Sequence, residues 1–277
     1  MLLNIHRRDN NVGDIMSSPL RYFKFPKETQ AIDIMTVNNP EILKNNIIIG
    51  GGGLIARDFF TEKLNYIADN RKGKLISWGI GHNGYENVDR ELKYPQYMDK
   101  FDLHGIRDYN QGFNYVPCVS CMSKLFDKKY NVKHEFAIYK HGNSNWKLPM
   151  NELNFPVMEN HQVNYKPTKI NQLFNLFSPD DFQVSFSKII KFLGEADTIL
   201  TNTYHGMYWG ILLNKKVLAF PFSTKFYTLK YKVPFCDPLN PNDWQDKLQE
   251  ARRYPDALAE CRDANQQFYQ KVIELLN

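Results

Sequence analysis

The chain has 277 residues, 43% hydrophobic and 23% charged, the proportions of a globular protein rather than a disordered one. A formal net charge of +5 favours anionic partners, but without a basic-aromatic recognition module it does not argue for nucleic acid. No apolar run approaches the ~20 residues of a membrane-spanning helix, and "MLLNIHRRDN" starts a strand with no secretory apolar region. A cytoplasmic protein is expected, with at most peripheral contact to acidic headgroups at the inner face of the membrane.

The first half repeats one rhythm: a short apolar run, a polar or glycine-rich turn, then a helical stretch. "LLNIH" leads into "RRDNNVGD", after which Ser18 and Pro19 predict the cap and first turn of a helix reaching Phe23. "NIIIGGGGLI" predicts a buried strand running into four glycines, followed by a helix over Asp58–Ala68. "KLISWGIGHNG" repeats the pattern, and "FDLHGIRDYN" predicts a strand ending in charge. From about Lys128 the rhythm pauses, and "HEFAIYKHG" and "FPVMEN" predict two fresh strands around the irregular "NSNWKLPMNELN". Helices follow over Lys169–Leu176 and Asp181–Leu193, the second capped by Ser178 or Asp180 and closed by Gly194. Then come strand "DTILT", an apolar helix carrying His205, strand "KVLAF", the basic-aromatic "STKFYTLKYK", and a helical tail from Pro241. Strands alternating with helices predict an α/β fold with parallel sheets. Two Rossmann-like halves are expected at 1–128 and 129–260, facing a central cleft, with a helix over 261–277 packing back on the molecule.

Ligands of such sheets bind beyond the carboxyl ends of the strands, so the residues after each apolar run are the site candidates. Asn11, Gly13 and Asp14 of "NVGD" suit an Asx-turn or contacts to substrate hydroxyls. Gly51, Gly52 and Gly53 let backbone N–H groups approach an anion, though neither a Walker motif nor G-x-G-x-x-G is present. His82 in "GIGHNG" is a ligand contact or an exposed loop histidine. Arg107 at the end of "DLHGI" matches a carboxylate or phosphate, or else pairs with Asp108. Lys225, Lys230 and Lys232 form either a phosphate clamp or a solvated face, with Lys225 nearest the strand end.

Thr201, Asn202, Thr203 and His205 sit at the mouth of an otherwise apolar helix. Its free N–H groups and dipole attract an anion and disfavour a charged imidazole, so His205 is the candidate for proton exchange and Gly206 allows close approach. A lone helical histidine is more often structural. Cys118 and Cys121 form a C-x-x-C, but Cys236 and Cys261 lie far apart in sequence, which predicts buried thiols rather than a zinc site. No compact His/Asp/Glu cluster has ligand spacing, so no metal is expected.

In order, "NVGD", "IIIGGGG", "SWGIGHNG", "GIRD" and "ADTILTNTYHGMYWGILLNKKVLAFPFSTKFY" resemble the polysaccharide pyruvyl transferase family over about residues 1–230. The His-Gly helix followed by a strand and a lysine segment is the most specific of these. The resemblance implies two Rossmann-like domains around a cleft, a GT-B-like fold similar to that of many glycosyltransferases. It implies transfer of pyruvate from phosphoenolpyruvate, as co-substrate with no other cofactor, onto sugar hydroxyls as a ketal. The acceptor it implies is a bacterial surface polysaccharide or its lipid-linked precursor. Where the family usually has Arg-Leu-His, this chain has Thr203-Tyr204-His205. The donor is then expected on Arg107, Lys225, Thr203, Tyr204, Gly206 and helix N–H groups, with His205 as general acid or base. The rival readings are a nucleotide-sugar glycosyltransferase, motivated by the missing arginine, and a non-catalytic sugar-binding relic.

Overall fold

The computed structural model describes residues 1–9, 11–85, 92–142, 146–147, 153–160 and 179–277. The helix expected over 169–176 and the cap expected at Ser178 lie outside those residues.

The fold is mixed α/β with two parallel sheets. The first has strands β1 (Leu2–His6), β2 (Thr29–Asp33), β3 (Asn46–Gly50), β4 (Leu75–Ile80), β5 (Leu103–Ile106) and β6 (Asn114–Tyr115), in the order β2-β1-β3-β4-β5-β6. All of its pairs are parallel. The second contains β7 (His134–Lys140), β8 (Val157–Glu159), β9 (Ala196–Thr201) and β10 (Lys216–Ala219), again all parallel, in the order β10-β9-β7-β8. Central strands buried on both faces need near-continuous apolar runs, and "LLNIH", "NIIIG" and "LISWGI" supply them, interrupted only by single polar residues such as Asn4 and Ser77. β2, "TQAID", is an edge strand exposed at its start, and its mixed composition gives no strand signal in the sequence.

The helices follow from the same logic. α1 (Val12–Ile15) is one turn, capped by Asn11, whose side chain accepts from the Gly13 N–H. The helix expected from Ser18 is instead a short 3-10 turn over Pro19–Arg21. Ser18 caps nothing; its hydroxyl donates to Asn4 at 2.6 Å, satisfying a polar side chain buried within β1. α2 (Asp58–Asn70) presents Phe60, Leu64, Ile67 and Ala68 inward at helical spacing. α3 (Pro179–Gly194) begins ahead of Asp180, which therefore lies inside the helix rather than capping it. α4 (Tyr204–Leu212) is buried on every face, as its almost wholly apolar and aromatic sequence requires. α5 (Trp244–Leu248) is a single turn, and α6 (Ala257–Leu276) closes the chain.

The two sheets share packing. Val12, Ile15 and Met16, with Cys118, Cys121, Leu125 and Phe126, join one apolar cluster with residues of α3, β9 and α4. α6 returns to the first sheet, where Phe268 and Val272 pack on Trp78 and Asn265 accepts from the Trp78 indole at 2.9 Å. The four cysteines are buried free thiols. Among the described residues no helix is long and apolar enough to cross a membrane.

Candidate active site

In a sheet ordered 2-1-3-4-5, the chain leaves β1 and β3 in opposite directions, and the crevice at that switch point is where ligands bind. A cavity of about 360 Å³ opens there. Arg7, Asp9, Asn11 and Asp14 reach it after β1; Gly53, Leu54 and Arg57 after β3; Asn83 and Tyr85 after β4; and Arg107 after β5. The second sheet contributes Tyr139, His141, Asn160, Thr203, Tyr204, His205 and Lys225. Residues from the carboxyl ends of both sheets thus line one space of ligand size.

Arg107 is buried, 2% exposed, and no carboxylate of the described residues lies within ion-pair distance of it. The expected alternative, a pair with Asp108, is not formed. Asp108 Oδ2 instead accepts from the His82 backbone N–H at 2.7 Å and the Tyr94 hydroxyl at 2.8 Å. The guanidinium lies over the Tyr204 ring at 3.8 Å, and its Nε has no hydrogen-bond partner. Gly81 makes room for it: a Cβ at that position would lie 2.4 Å from Nε. A desolvated cation without an anion is costly, and a fold that keeps one beside a cavity is prepared for an anionic ligand.

Among the described residues Lys225 is a second cation without an ion pair, its ammonium 4.5 Å from the Phe222 ring centroid. Burial, and then the charge of Arg107, push its pKa down to about 7. Arg57 is a third, lying between Tyr85 at 4.3 Å and Phe59 at 5.0 Å from the ring centroids. Arg7 is neutralised by Asp33 at 2.5 Å. Lys230 is held by Glu260 at 2.7 Å and does not line the cavity.

His205 sits in the first turn of α4, 8% exposed, its ring 4.8 Å from Trp209 and 5.4 Å from Tyr204 between centroids. Nε2 faces the Cys118 sulfur at 3.7 Å. The other side of the ring rests on Gly13, where a Cβ would lie 2.0 Å from Nδ1. Burial first, then Arg107 and Lys225, hold the imidazole pKa well below its ordinary value, so the ring is neutral. Desolvation and the two cations thus act in the same direction as the helix dipole expected from the sequence.

The polar residues at the mouth of α4 turn out to be mostly structural. Thr201 donates to the Tyr139 carbonyl at 2.6 Å, and Asn202 accepts from the His141 N–H at 2.8 Å. Thr203 is the N-cap, its hydroxyl accepting from the Gly206 N–H at 2.8 Å. The Gly206 N–H is therefore not free for a donor, and Gly206 does not line the cavity. Gly13, Gly51 and Gly52 also lie behind it rather than in it; of the glycine run only Gly53 is in the wall. His82 is displaced from the site as well. Its Nδ1 shares a hydrogen bond with Thr224 at 2.7 Å, pinning the loop after β4 to the segment that carries Lys225. The structure thus gathers Asn11, Asp14, Gly53, Arg107, Thr203, Tyr204, His205 and Lys225, and leaves out Gly13, Gly51, Gly52, His82 and Gly206.

Among the residues the sequence reading missed, Arg7 and Asp9 follow β1, His141 follows β7 and Asn160 follows β8, so the carboxyl-end rule would have found them. Arg57 and Tyr85 lie further along their loops and carry no such signal. Among the described residues, no group of three His, Cys, Asp or Glu side chains is placed to hold a metal ion.

The family model described as polysaccharide pyruvyl transferase matches residues 7–224, which includes every residue lining the cavity except Lys225. The chain belongs to that family. In this pyruvyl transferase family member the match runs from Arg7 through the Thr224 that anchors His82. No curated protein matches the chain in sequence. Among solved structures it is similar to a Klebsiella pneumoniae protein described as functionally uncharacterized, at 17% identity and a TM-score of 0.47, over 79% of this chain and 82% of that one.

Proposed function

We propose that this protein transfers pyruvate from phosphoenolpyruvate to two hydroxyls of a saccharide, forming a ketal, in a cleft between two Rossmann-like units built on the two sheets. The observation that carries the reading is Arg107, a buried guanidinium with no carboxylate partner among the described residues, facing the same cavity as Lys225 and a neutral His205. Phosphoenolpyruvate presents a phosphate and a carboxylate a few bonds apart, and two such cations match them as charge-assisted partners. They take over the task of the arginine that the family usually places where Thr203 stands.

The saccharide enters on the other side of the cavity. Phe59 and Tyr85 are 46% and 49% exposed, beside a cavity that also offers Asn83, Asn160 and His141. Exposed ring faces beside amide groups suit a pyranose, which has apolar faces and a polar rim. His205 meets the arriving donor as a neutral imidazole and accepts the proton of the attacking hydroxyl. The donor's negative charge then stabilises the imidazolium. No metal is required for this chemistry, and turnover is expected to be insensitive to chelators. The acceptor is a bacterial surface polysaccharide or its lipid-linked precursor.

Thermal shift of the purified chain with phosphoenolpyruvate and, separately, with nucleotide sugars tests the donor. A shift with phosphoenolpyruvate alone is expected; a shift with a nucleotide sugar alone would transfer the scaffold to glycosyl transfer and end this reading.

A further inference from the structure

Two carboxyl groups line the cavity, Asp9 and Asp14, and they differ in their surroundings. Asp9 lies 3.5 Å from the Arg7 guanidinium. Asp14 joins no ion pair among the described residues, although Arg107 and Lys225 share its cavity. Its position is built from two sides. Asn11 Nδ2 donates to Oδ2 at 3.0 Å, and Gly52 leaves the space for Oδ1, where a Cβ would lie only 2.8 Å away. Gly52 also has a φ of +83°, a conformation that side chains resist. Asp14 follows Gly13 directly, and Gly13 is the residue on which the His205 ring rests. The helical turn α1 that supports the imidazole therefore also delivers a carboxyl group to the same cavity.

We infer that Asp14 is a second catalytic residue of the transfer, the acid that protonates the methylene carbon of the donor while His205 takes the proton of the attacking hydroxyl. This rests on the pyruvyl-transfer reading and assigns a partner role within it. The groups facing Asp14 support the assignment. Burial and the neighbouring charge of Asp9 raise its pKa to about 7, against the opposing pull of Arg107, Lys225 and Arg7. The Cys118 thiol, which interacts with Asp14 from outside the cavity wall, is kept protonated by burial. The other charged or titratable groups lining the cavity are the neutral His205, Arg57, His141 and the tyrosines Tyr85, Tyr139 and Tyr204. A bound trianion cancels the cations that oppose the proton, so donor binding favours the acid form further. Two groups whose surroundings drive their proton affinities apart are the signature of an acid and a base in one site.

The step balances. The Asp14 proton goes to C3 of the enol, the C2–C3 double bond supplies the electron pair, and the resulting cationic C2 is attacked by the first hydroxyl, whose proton passes to His205. The C2–O bond to phosphate then breaks, phosphate leaves with the imidazolium proton as hydrogen phosphate, and the second hydroxyl closes the ketal. Its proton returns to the Asp14 carboxylate. Phosphoenolpyruvate and a diol become ketal and hydrogen phosphate, with both side chains restored.

Calorimetric titration of phosphoenolpyruvate into the full chain at about pH 7.5, in buffers of different ionisation enthalpy, counts the protons taken up on binding. Absence of binding to the wild type removes the donor assignment, and this inference with it. Given binding, Asp14→Asn is expected to hold Kd within roughly threefold and to take up fewer protons than the wild type, by several tenths. Equal uptake by the two proteins overturns the role of Asp14 and leaves the donor assignment intact. Phosphate release with p-nitrophenyl hexopyranosides as acceptors should fall on the order of 10²–10⁴-fold in Asp14→Asn; a rate within threefold of wild type also overturns it. Should the Asn variant fail to fold, Asp14→Glu decides: the pH dependence of its donor affinity must be displaced from the wild-type curve, and superimposable curves reject the inference.

Discussion

Replacing Arg107 by methionine should make the free protein more stable while destroying its affinity for the donor. The guanidinium is 2% exposed, has no carboxylate partner among the described residues, and leaves Nε unbonded. One unsatisfied buried donor costs about 1–3 kcal/mol, more when it belongs to a charged group. Contact with the Tyr204 face returns about 0.5–2 kcal/mol, and repulsion from Lys225 works the other way. Methionine retains an unbranched chain against Tyr204 and removes the charge, so a net gain of about 1 kcal/mol or more is expected. For a chain of this size that raises Tm by about 2–4 °C per kcal/mol. Donor binding should lose about 2–5 kcal/mol, the usual cost of removing one member of a buried charge pair, which weakens Kd by roughly 30- to 5,000-fold. Differential scanning calorimetry without ligand and titration with phosphoenolpyruvate measure the two effects separately. A ligand-free Arg107→Met protein that melts below the wild type, or one that binds the donor unchanged, would falsify the argument that this cation is held uncompensated for an anion.

Three further outcomes follow from the site. His205→Ala should lower turnover about 10²- to 10⁴-fold with far-UV circular dichroism unchanged, and a variant retaining wild-type rates sinks the proton-transfer role. Gly13→Ala places a methyl 2.0 Å from where Nδ1 now sits, so the imidazole must move; kcat should fall at least tenfold with donor Kd little changed, and an unaltered kcat would show that ring position is unimportant. Lys225, lowered to about 7, loses its charge as pH rises through that value in the free protein. Donor affinity should therefore decline on the alkaline side and Lys225→Met should flatten the decline, whereas parallel pH curves for the two proteins would assign the dependence elsewhere.

Much of the fold was legible because β1, β3 and β4 are buried on both faces and are therefore mainly apolar, with Asn4, a buried polar exception, hydrogen-bonded. β2 escaped notice because an edge strand exposed at its first residues has no such requirement, and "TQAID" carries no alternation. The site was legible wherever a functional side chain follows its strand at once, as Arg107 follows β5. It was illegible where a glycine acts through space. Gly13 and Gly52 read as turn residues or ligand contacts, and only their distances to His205 and Asp14 show them as spacers behind the cavity. The threonines before His205 suggested ligand contacts by their chemistry. Capping and a bond to the β7 backbone account for Thr201 and Thr203, since a buried helix end cannot leave its N–H groups to water.

The last helix has a bearing on how the molecule is made. Trp78 sits on a central strand; Phe23 and Phe25 cover part of its ring, but Phe268 covers another part and its indole partner is Asn265, nearly 190 positions later in the chain. During synthesis the indole N–H must wait without its partner, and the ring only partly covered, until those later residues have been made. A truncation that removes Ala257–Leu276 should therefore lower soluble yield without touching any group in the cavity.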